Sequence, residues 1–255
     1  MNYFESPAAA KRYARSRPYF HPIVEAAIRA RLPEGFVFKR GLDVACGTGM
    51  STRMLSGLAR QVIGTDASQA MLGQAFTAPN IEYRIGSAEH LDFSDSQFDI
   101  LTVALALHWL DRSTFLGEAR RVLEPGGLMV LYNHGFTGEM SGNPAVQEWH
   151  KATYLTRYPK TWRDSRPLLE ADAAAAGFTN FAIENFESYW PFTLDEFARY
   201  LTTQSLVIAA VEAGRETDDE ARAWIVRELQ PFWKFEHETF RFTGSITFLT
   251  NGKAA

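Results

Sequence analysis

Asp43, Cys46, Gly47, Thr48 and Gly49 stand close together in RGLDVACGTGM, and Asp66 closes the short apolar run QVIGTD. Glycines at 47 and 49 let a backbone approach a ligand closely, and a helix starting just after them favours an anion by about 0.3–1 kcal/mol. An acid at the end of the next strand can accept hydrogen bonds from both hydroxyls of a ribose. The pattern therefore suits a nucleoside. Taken singly, the turn could be a bare strand-to-helix connection and Asp66 an N-cap. The dinucleotide fingerprint G-x-G-x-x-G is incomplete, because Thr52 occupies its third glycine position.

Two later stretches add polar groups. In GSAEHLDF, Ser87 and Glu89 can accept hydrogen bonds from an exocyclic amine, while Ala88 and nearby Met71 offer apolar faces to a flat ring. A plain surface turn would look the same. In ALALHWLD, Ala104 and Leu105 fall beneath such a ligand, and His108 and Trp109 point towards a reacting centre or else begin a packed helix. An imidazole titrates near neutral pH, so His108 could take a proton from a phenol, enol or amine, or orient the acceptor. The six histidines show no metal-ligand spacing, so no metal is expected, and Cys46 reads as a small packing residue.

These residues need a scaffold, and the chain alternates in a way that supplies one. FKRGLDVA, QVIGTD, NIEYRIG, FDILTVAL and LMVLYNH read as strands, with MSTRMLSGLAR, ASQAMLGQA and STFLGEARRVL as helices between them. Ser68 is the expected N-cap of the second helix, and Glu124-Pro125-Gly126-Gly127 stops the third. Alternating strand and helix implies a parallel α/β sheet with right-handed crossovers. Ligands of such sheets bind at the strands' carboxyl ends.

Beyond Gly135 the pattern loosens. GFTGEMSGNPAVQEWHKATYLTRYPKTW reads as irregular, PLLEADAAAAGF as a helix, and TNFAIENFESYW and ETFRFTGSITFLTNG as strands. Two helical segments lie between those strands, TLDEFARYLTTQSLVIAAVEAG and DDEARAWIVRELQPFW. The expected fold is α/β: a Rossmann-like, seven-stranded, mostly parallel sheet with helices on both faces, an antiparallel last strand and a helical cap. One domain is expected over 1–255, with a cofactor-binding core at 36–134 and cap elements at 1–35, 135–165 and 191–236. Trp149, Trp162, Tyr189, Trp190, Phe192, Trp224 and Trp233 suit either an apolar acceptor chamber or a core.

Composition narrows the field. With 255 residues, 46% of them hydrophobic, the chain can bury a full core. A net charge of −4 with scattered Lys and Arg argues against nucleic acid as a partner. The single cysteine fits a reducing compartment. No apolar run is long enough for a signal peptide core or a bilayer span, and a cytoplasmic protein is expected.

Together these stretches resemble the class I S-adenosylmethionine-dependent methyltransferases. DVACGTG is similar to that family's glycine motif, Asp66 to its ribose-binding acid, Ser87-Ala88-Glu89 to its adenine loop, and LEPGGLMVLYN to its turn into strand five. The resemblance implies S-adenosyl-L-methionine as cofactor, S-adenosyl-L-homocysteine as product, and contacts at Asp43, Ala45, Gly47, Thr48, Gly49, Asp66, Ala67, Met71, Ser87, Ala88, Glu89, Ala104 and Leu105. YFESPAAAKRYARSRPYF resembles the N-terminal segment of the small-molecule branch, which includes trans-aconitate and quinone-biosynthesis enzymes, and this implies further contacts at Tyr13 and Arg17. Trp109 and Tyr132 are the expected substrate contacts. The implied reaction is methyl transfer to a carboxylate or hydroxyl of a small molecule. Two other readings stay open: a methyltransferase-like binding protein without catalysis, and an NAD-linked oxidoreductase.

Overall fold

The computed structural model describes residues 4–160 and 163–252; Trp162 lies outside the described residues. Seven strands form its sheet: β1 (Phe38–Val44), β2 (Ala59–Asp66), β3 (Ile81–Ile85), β4 (Phe98–Ala104), β5 (Leu123–Met140), β6 (Phe178–Phe192) and β7 (Glu238–Asn251). Their spatial order is β3-β2-β1-β4-β5-β7-β6. The first five pair in parallel, with Val44 opposite Thr65 on one side and Val103 on the other. β7 runs against both its neighbours. Asn133 bonds Ser245 while Ser141 bonds Thr239, and Thr179 bonds Thr250 while Arg241 bonds Glu187. The order reverses between β1 and β4, so the switch point of the sheet lies where these two strands end.

The helices are α1 (Pro7–Ser16), α2 (His21–Arg29), α3 (Met50–Ser56), α4 (Gln69–Leu72), α5 (Arg112–Val122), α6 (Ala145–Trp149), α7 (Leu155–Arg157), α8 (Glu170–Ala175), α9 (Leu194–Thr202), α10 (Ser205–Glu212) and α11 (Asp218–Leu229). Ser68 caps α4 through the Met71 N–H, and Asp111 caps α5 through that of Thr114. Thr193 with Glu196, and Thr217 with Glu220, form capping boxes on α9 and α11.

The chain divides into two compact units. One comprises Met1–Pro18, His134–Trp162 and Phe186–Gly244; the other comprises Tyr19–Asn133, Arg163–Asn185 and Ser245–Ala255. The second holds the parallel strands and a core of Leu42, Val44, Leu101, Val103, Phe115, Leu131 and Leu249, all buried. Residues 41–44 of β1 and 100–103 of β4 are all buried, so both faces of the sheet are covered there. The first unit has its own aromatic core, in which Phe197 stacks on Phe240 at 3.7 Å between ring centroids. Trp149, Phe192, Trp190, Trp224 and Trp233 belong to that core, while Tyr189 is exposed.

Several segments differ from the sequence reading. Glu124–Gly127 does not separate helix from strand. It is an excursion inside β5, since Phe98 pairs with Leu123 and Ile100 with Leu128. β5 also runs on through GFTGEM, which its glycines disguise. Gly138 takes φ +89° where a Cβ would lie 2.7 Å from the His150 imidazole. His150–Tyr154 then winds as a π-helix. The segment read as one helix before α11 breaks at Thr203, whose carbonyl accepts a hydrogen bond from Arg17 Nη2 at 2.7 Å.

Candidate cofactor site at the carboxyl edge

At the switch point the backbone is bent twice in the same manner. Ala45 (φ 53°) follows β1 and Leu105 (φ 57°) follows β4, both in the left-handed region that non-glycine residues avoid at about 1–2 kcal/mol. Such strain persists only where the surrounding structure imposes it, and it clusters at functional sites. Gly47 and Gly49 continue the turn at φ 56° and 74°. Leu105 is held by its N–H on the Tyr132 carbonyl at 2.9 Å.

Asp43 anchors this turn from beneath. Its carboxylate is fully buried and accepts hydroxyl bonds from Ser51 (2.6 Å), Thr52 (2.6 Å) and Thr102 (2.7 Å). Burial outweighs these three donors and, helped by the nearby charge of Asp66, pushes its pKa up to about 6. Asp43 thus acts through the turn it holds. Thr52, a mismatch to the dinucleotide pattern, is one of its donors, and Thr102 is a buried polar residue in the run FDILTVAL.

Asp66 ends β2 with its two carboxylate oxygens aligned by the turn. Oδ2 accepts the Gly47 N–H and Oδ1 the Ser68 N–H, both at 2.8 Å. Burial raises its pKa, against the pull of those two bonds. Each oxygen keeps a lone pair for a further donor. Ala67 follows on the surface, and Met71 is buried with its methyl 3.1 Å from where a Gly47 Cβ would stand. Thr48 is buried, and its hydroxyl makes no hydrogen bond among the described residues. That orphaned hydroxyl, the bonded acid and the apolar Met71 fit an adenosyl group with a polar tail.

The loop after β3 is more self-contained than its sequence suggests. Ser87 Oγ donates to Glu89 Oε2 at 2.5 Å, and Glu89 Oε1 accepts the Asp111 N–H at 3.1 Å. Ala88 is buried beside them. These bonds tie the loop to the start of α5.

His108 and Trp109 sit in a single 3-10 turn, Leu107–Trp109, with rings 4.8 Å apart. Burial, then the positive charges of Arg163 and Arg112, push the His108 pKa down to about 4. The imidazole is held in its neutral form, a weaker base than an ordinary histidine. Arg112 was silent in the sequence. Its guanidinium donates to the carbonyls of Asp164, Arg166 and Pro167, and the Asp164 N–H donates to the His108 carbonyl at 3.1 Å. Arg163, next in the chain, is exposed and has no ion-pair partner among the described residues.

Tyr132 is 4% exposed, and its hydroxyl meets His21 Nδ1 at 2.9 Å. Tyr13 and Arg17 belong to the other unit. There the Arg17 guanidinium lies over the Tyr13 ring at 4.6 Å and the Tyr200 ring at 5.3 Å. The structure therefore gathers Asp43 to Tyr132 on one scaffold and places Tyr13 and Arg17 in a second cluster.

Comparison with known proteins agrees with this geometry. Residues 42–131 match the family described as "Methyltransferase domain". A Dictyostelium discoideum protein named as a methyltransferase is 26% identical over 211 residues, covering 81% of this chain and 79% of its own length. The ubiquinone biosynthesis O-methyltransferase of Cereibacter sphaeroides is 35% identical over 104 residues, 38% of this chain and 42% of that protein. A solved structure of an Anaeromyxobacter dehalogenans protein described as a type II methyltransferase superposes with a TM-score of 0.65 at 23% identity, over 89% of this chain and 95% of that one, and shows the shared fold. Residues 42–131 thus carry a methyltransferase domain, and the chain shares the methyltransferase fold. Among the described residues no helix is long and apolar enough to cross a membrane, and no group of three or more His, Cys, Asp or Glu could hold a metal.

Proposed function

We propose that the chain transfers the methyl group of S-adenosyl-L-methionine to an oxygen of a small-molecule acceptor, a hydroxyl or a carboxylate. The observation that carries this reading is the neutral, half-buried His108 at the end of β4, one turn beyond the strained Leu105. The cofactor supplies an electrophilic methyl on a sulfonium that is already a good leaving group. Asp66 accepts the ribose hydroxyls, Met71 and Ala88 flank the adenine, and Thr48 with the Gly47 and Gly49 backbone holds the polar tail. Ala45, Ala67, Ala104 and Leu105 line the same edge without charge.

The chain's remaining task is alignment. Effective molarities of about 10⁵–10⁸ M are within reach of well-held reactants, so positioning can supply much of the rate. His108 takes the acceptor's proton, or orients an acceptor already ionised. Arg112 and Arg163 make its surroundings positive, which favours a phenolate, enolate or carboxylate over a cationic amine. The C. sphaeroides relative, named for O-methylation in ubiquinone biosynthesis, supports an oxygen acceptor. A single cysteine, which can form no intrachain disulfide, supports a cytoplasmic setting. One domain, with the core at 36–134 flanked by cap elements, is the organisation we infer.

The test is calorimetric titration with S-adenosylmethionine, S-adenosylhomocysteine and NAD in parallel, repeated on Asp66→Ala. Removing two bonds to a charged acceptor, each worth about 1.5–3 kcal/mol, should cost at least about a hundredfold in affinity for the first two ligands. Binding of NAD alone would overturn the proposal.

A further inference from the structure

One row of residues crosses the sheet beneath the glycine turn and ends in Tyr83. Thr102 of β4 stands opposite Asp43 of β1, Asp43 opposite Gly64 of β2, and Gly64 opposite Tyr83 of β3. Residues opposite one another in a parallel ladder face the same side of the sheet. That side is covered by α3, whose Ser51 and Thr52 bond Asp43.

Gly64 leaves a gap in the row, and Tyr83 fills it from the end. A Cβ at Gly64 would lie 2.7 Å from the Tyr83 ring, and one at Gly49 would overlap its hydroxyl. A glycine inside a strand marks such a close approach. The ring therefore leans over β2, and its tip rests against the last residue of the turn.

Hydrogen bonds carry the contact further. The Tyr83 hydroxyl donates to the Phe76 carbonyl at 2.6 Å, in the loop between α4 and β3. The Phe76 N–H donates to the Thr48 carbonyl at 3.2 Å, and the Gly49 N–H to that of Cys46 at 3.0 Å. The Thr48–Gly49 peptide is thereby pinned at its oxygen by Phe76 and at its nitrogen by Cys46. The Phe76 ring also lies 4.9 Å from the Arg53 guanidinium of α3, a cation–π contact that ties the same loop to the helix. Asp43 holds the helix that follows the turn, while Phe76 holds the turn itself.

We propose that Tyr83 is a positioning residue for the polar tail of the cofactor. Through the Phe76 main chain its hydroxyl fixes the Thr48–Gly49 peptide. With that peptide it fixes the direction of the buried Thr48 hydroxyl, which bonds nothing among the described residues. The proposal rests on the S-adenosylmethionine reading of the site and says which part of that molecule Tyr83 governs. The adenosine, held by Asp66 and Met71, lies outside its influence.

Tyr83→Phe is the discriminating variant, since it removes the hydroxyl and keeps the ring that fills the space over Gly64. Calorimetry on the full chain would use two probes: S-adenosylhomocysteine, and 5′-methylthioadenosine, which shares the adenosine but lacks the amino-acid carboxylate and amine. Affinity for the first should weaken about threefold to tenfold, as expected for one lost hydrogen bond, and affinity for the second should not move. Thr48→Val should likewise weaken only the first. The two losses should not add in the double variant, because both act through one hydroxyl. In the ligand-free chain, amide exchange at Phe76 should quicken in Tyr83→Phe. Equal weakening of both probes, an unmoved S-adenosylhomocysteine affinity, or losses that add would overturn the proposal. A wild type that binds neither probe would overturn the cofactor reading and the proposal with it. A wild type that binds both, with Phe76 exchange unchanged in the variant, would overturn the role of Tyr83 alone.

Discussion

Ala45 and Leu105 end neighbouring strands in the same left-handed conformation, one residue past Val44 and two past its partner Val103. The paired bends open the sheet at its switch point, which is where the polar groups of the site collect. Both residues lack the glycine that would make the bend unstrained. Ala45→Gly should therefore change stability by no more than about 1 kcal/mol, relief of strain offsetting the entropy of glycine. Ala45→Val, β-branched in a region such residues shun, should lose about 1–3 kcal/mol. Urea midpoints measure both, and a tolerated valine would show that the bend is not imposed.

The role of His108 predicts a rate profile. Its pKa is pushed down to about 4 by burial and two arginines, so the imidazole stays neutral across the physiological range. With saturating cofactor, kcat limited by this group should be flat from pH 8 to about 5.5 and fall only near 4. Arg163→Gln should move that limb up towards the ordinary histidine value of about 6.5. His108→Ala should lower kcat about a hundredfold for an acceptor that must lose a proton. Unchanged turnover in that variant would leave the imidazole without a part in the reaction.

Acid stability carries two opposed contributions. His108, His134 and His150 all have pKa values lowered to about 4, chiefly by burial, so the unfolded chain binds more protons below pH 6.5. Their contribution is complete above 6.5 and is lost as pH falls towards 4. Asp43, raised to about 6, runs the other way: the folded chain holds the extra proton, and stability is regained as pH falls from 6 to about 4. Asp43→Asn removes that compensation. Its melting temperature should drop more between about pH 7.5 and 5 than that of the wild type, whatever its starting value. Parallel curves would mean that Asp43 does not titrate in this window.

Phe197 and Phe240 are both fully buried and stacked, with rings 12° from parallel. Phe240→Ala should cost about 3–5 kcal/mol, and Phe240→Leu under about 1.5 kcal/mol. Chemical denaturation would separate the two. Equal, small losses would show a core able to collapse around the gap.

Much of this was legible in the chain. The alternation from Phe38 to Tyr132 is set by local periodicity, and the strand ends that carry Asp43, Asp66 and Ala104 follow from it. Asp43 and Asp66 stand together at the carboxyl edge because their spacing is fixed by one strand-turn-helix unit and one crossover. What escaped was long-range. Thr102, His21 and Arg112 act on groups brought near by the sheet order, and nothing in their neighbours announces it. The strand in GFTGEM was hidden by glycines whose purpose, clearance for His150 at Gly138, appears only in three dimensions. The Glu124–Gly127 excursion reads as a stop because proline and glycine break helices, although here the sheet pairing resumes after them.

The grip of Arg112 on residues 164–167 has a consequence for how this protein can diverge. Its three carbonyl partners, at Asp164, Arg166 and Pro167, are features of any polypeptide; only the 3.4 Å contact with the Asp164 carboxylate depends on a side chain. The segment can exchange the side chains at 163, 165 and 166 while its path stays fixed. Mutational drift there leaves the anchor intact yet renews the surface beside His108. A change of acceptor in a descendant protein would need no rebuilding of the sheet.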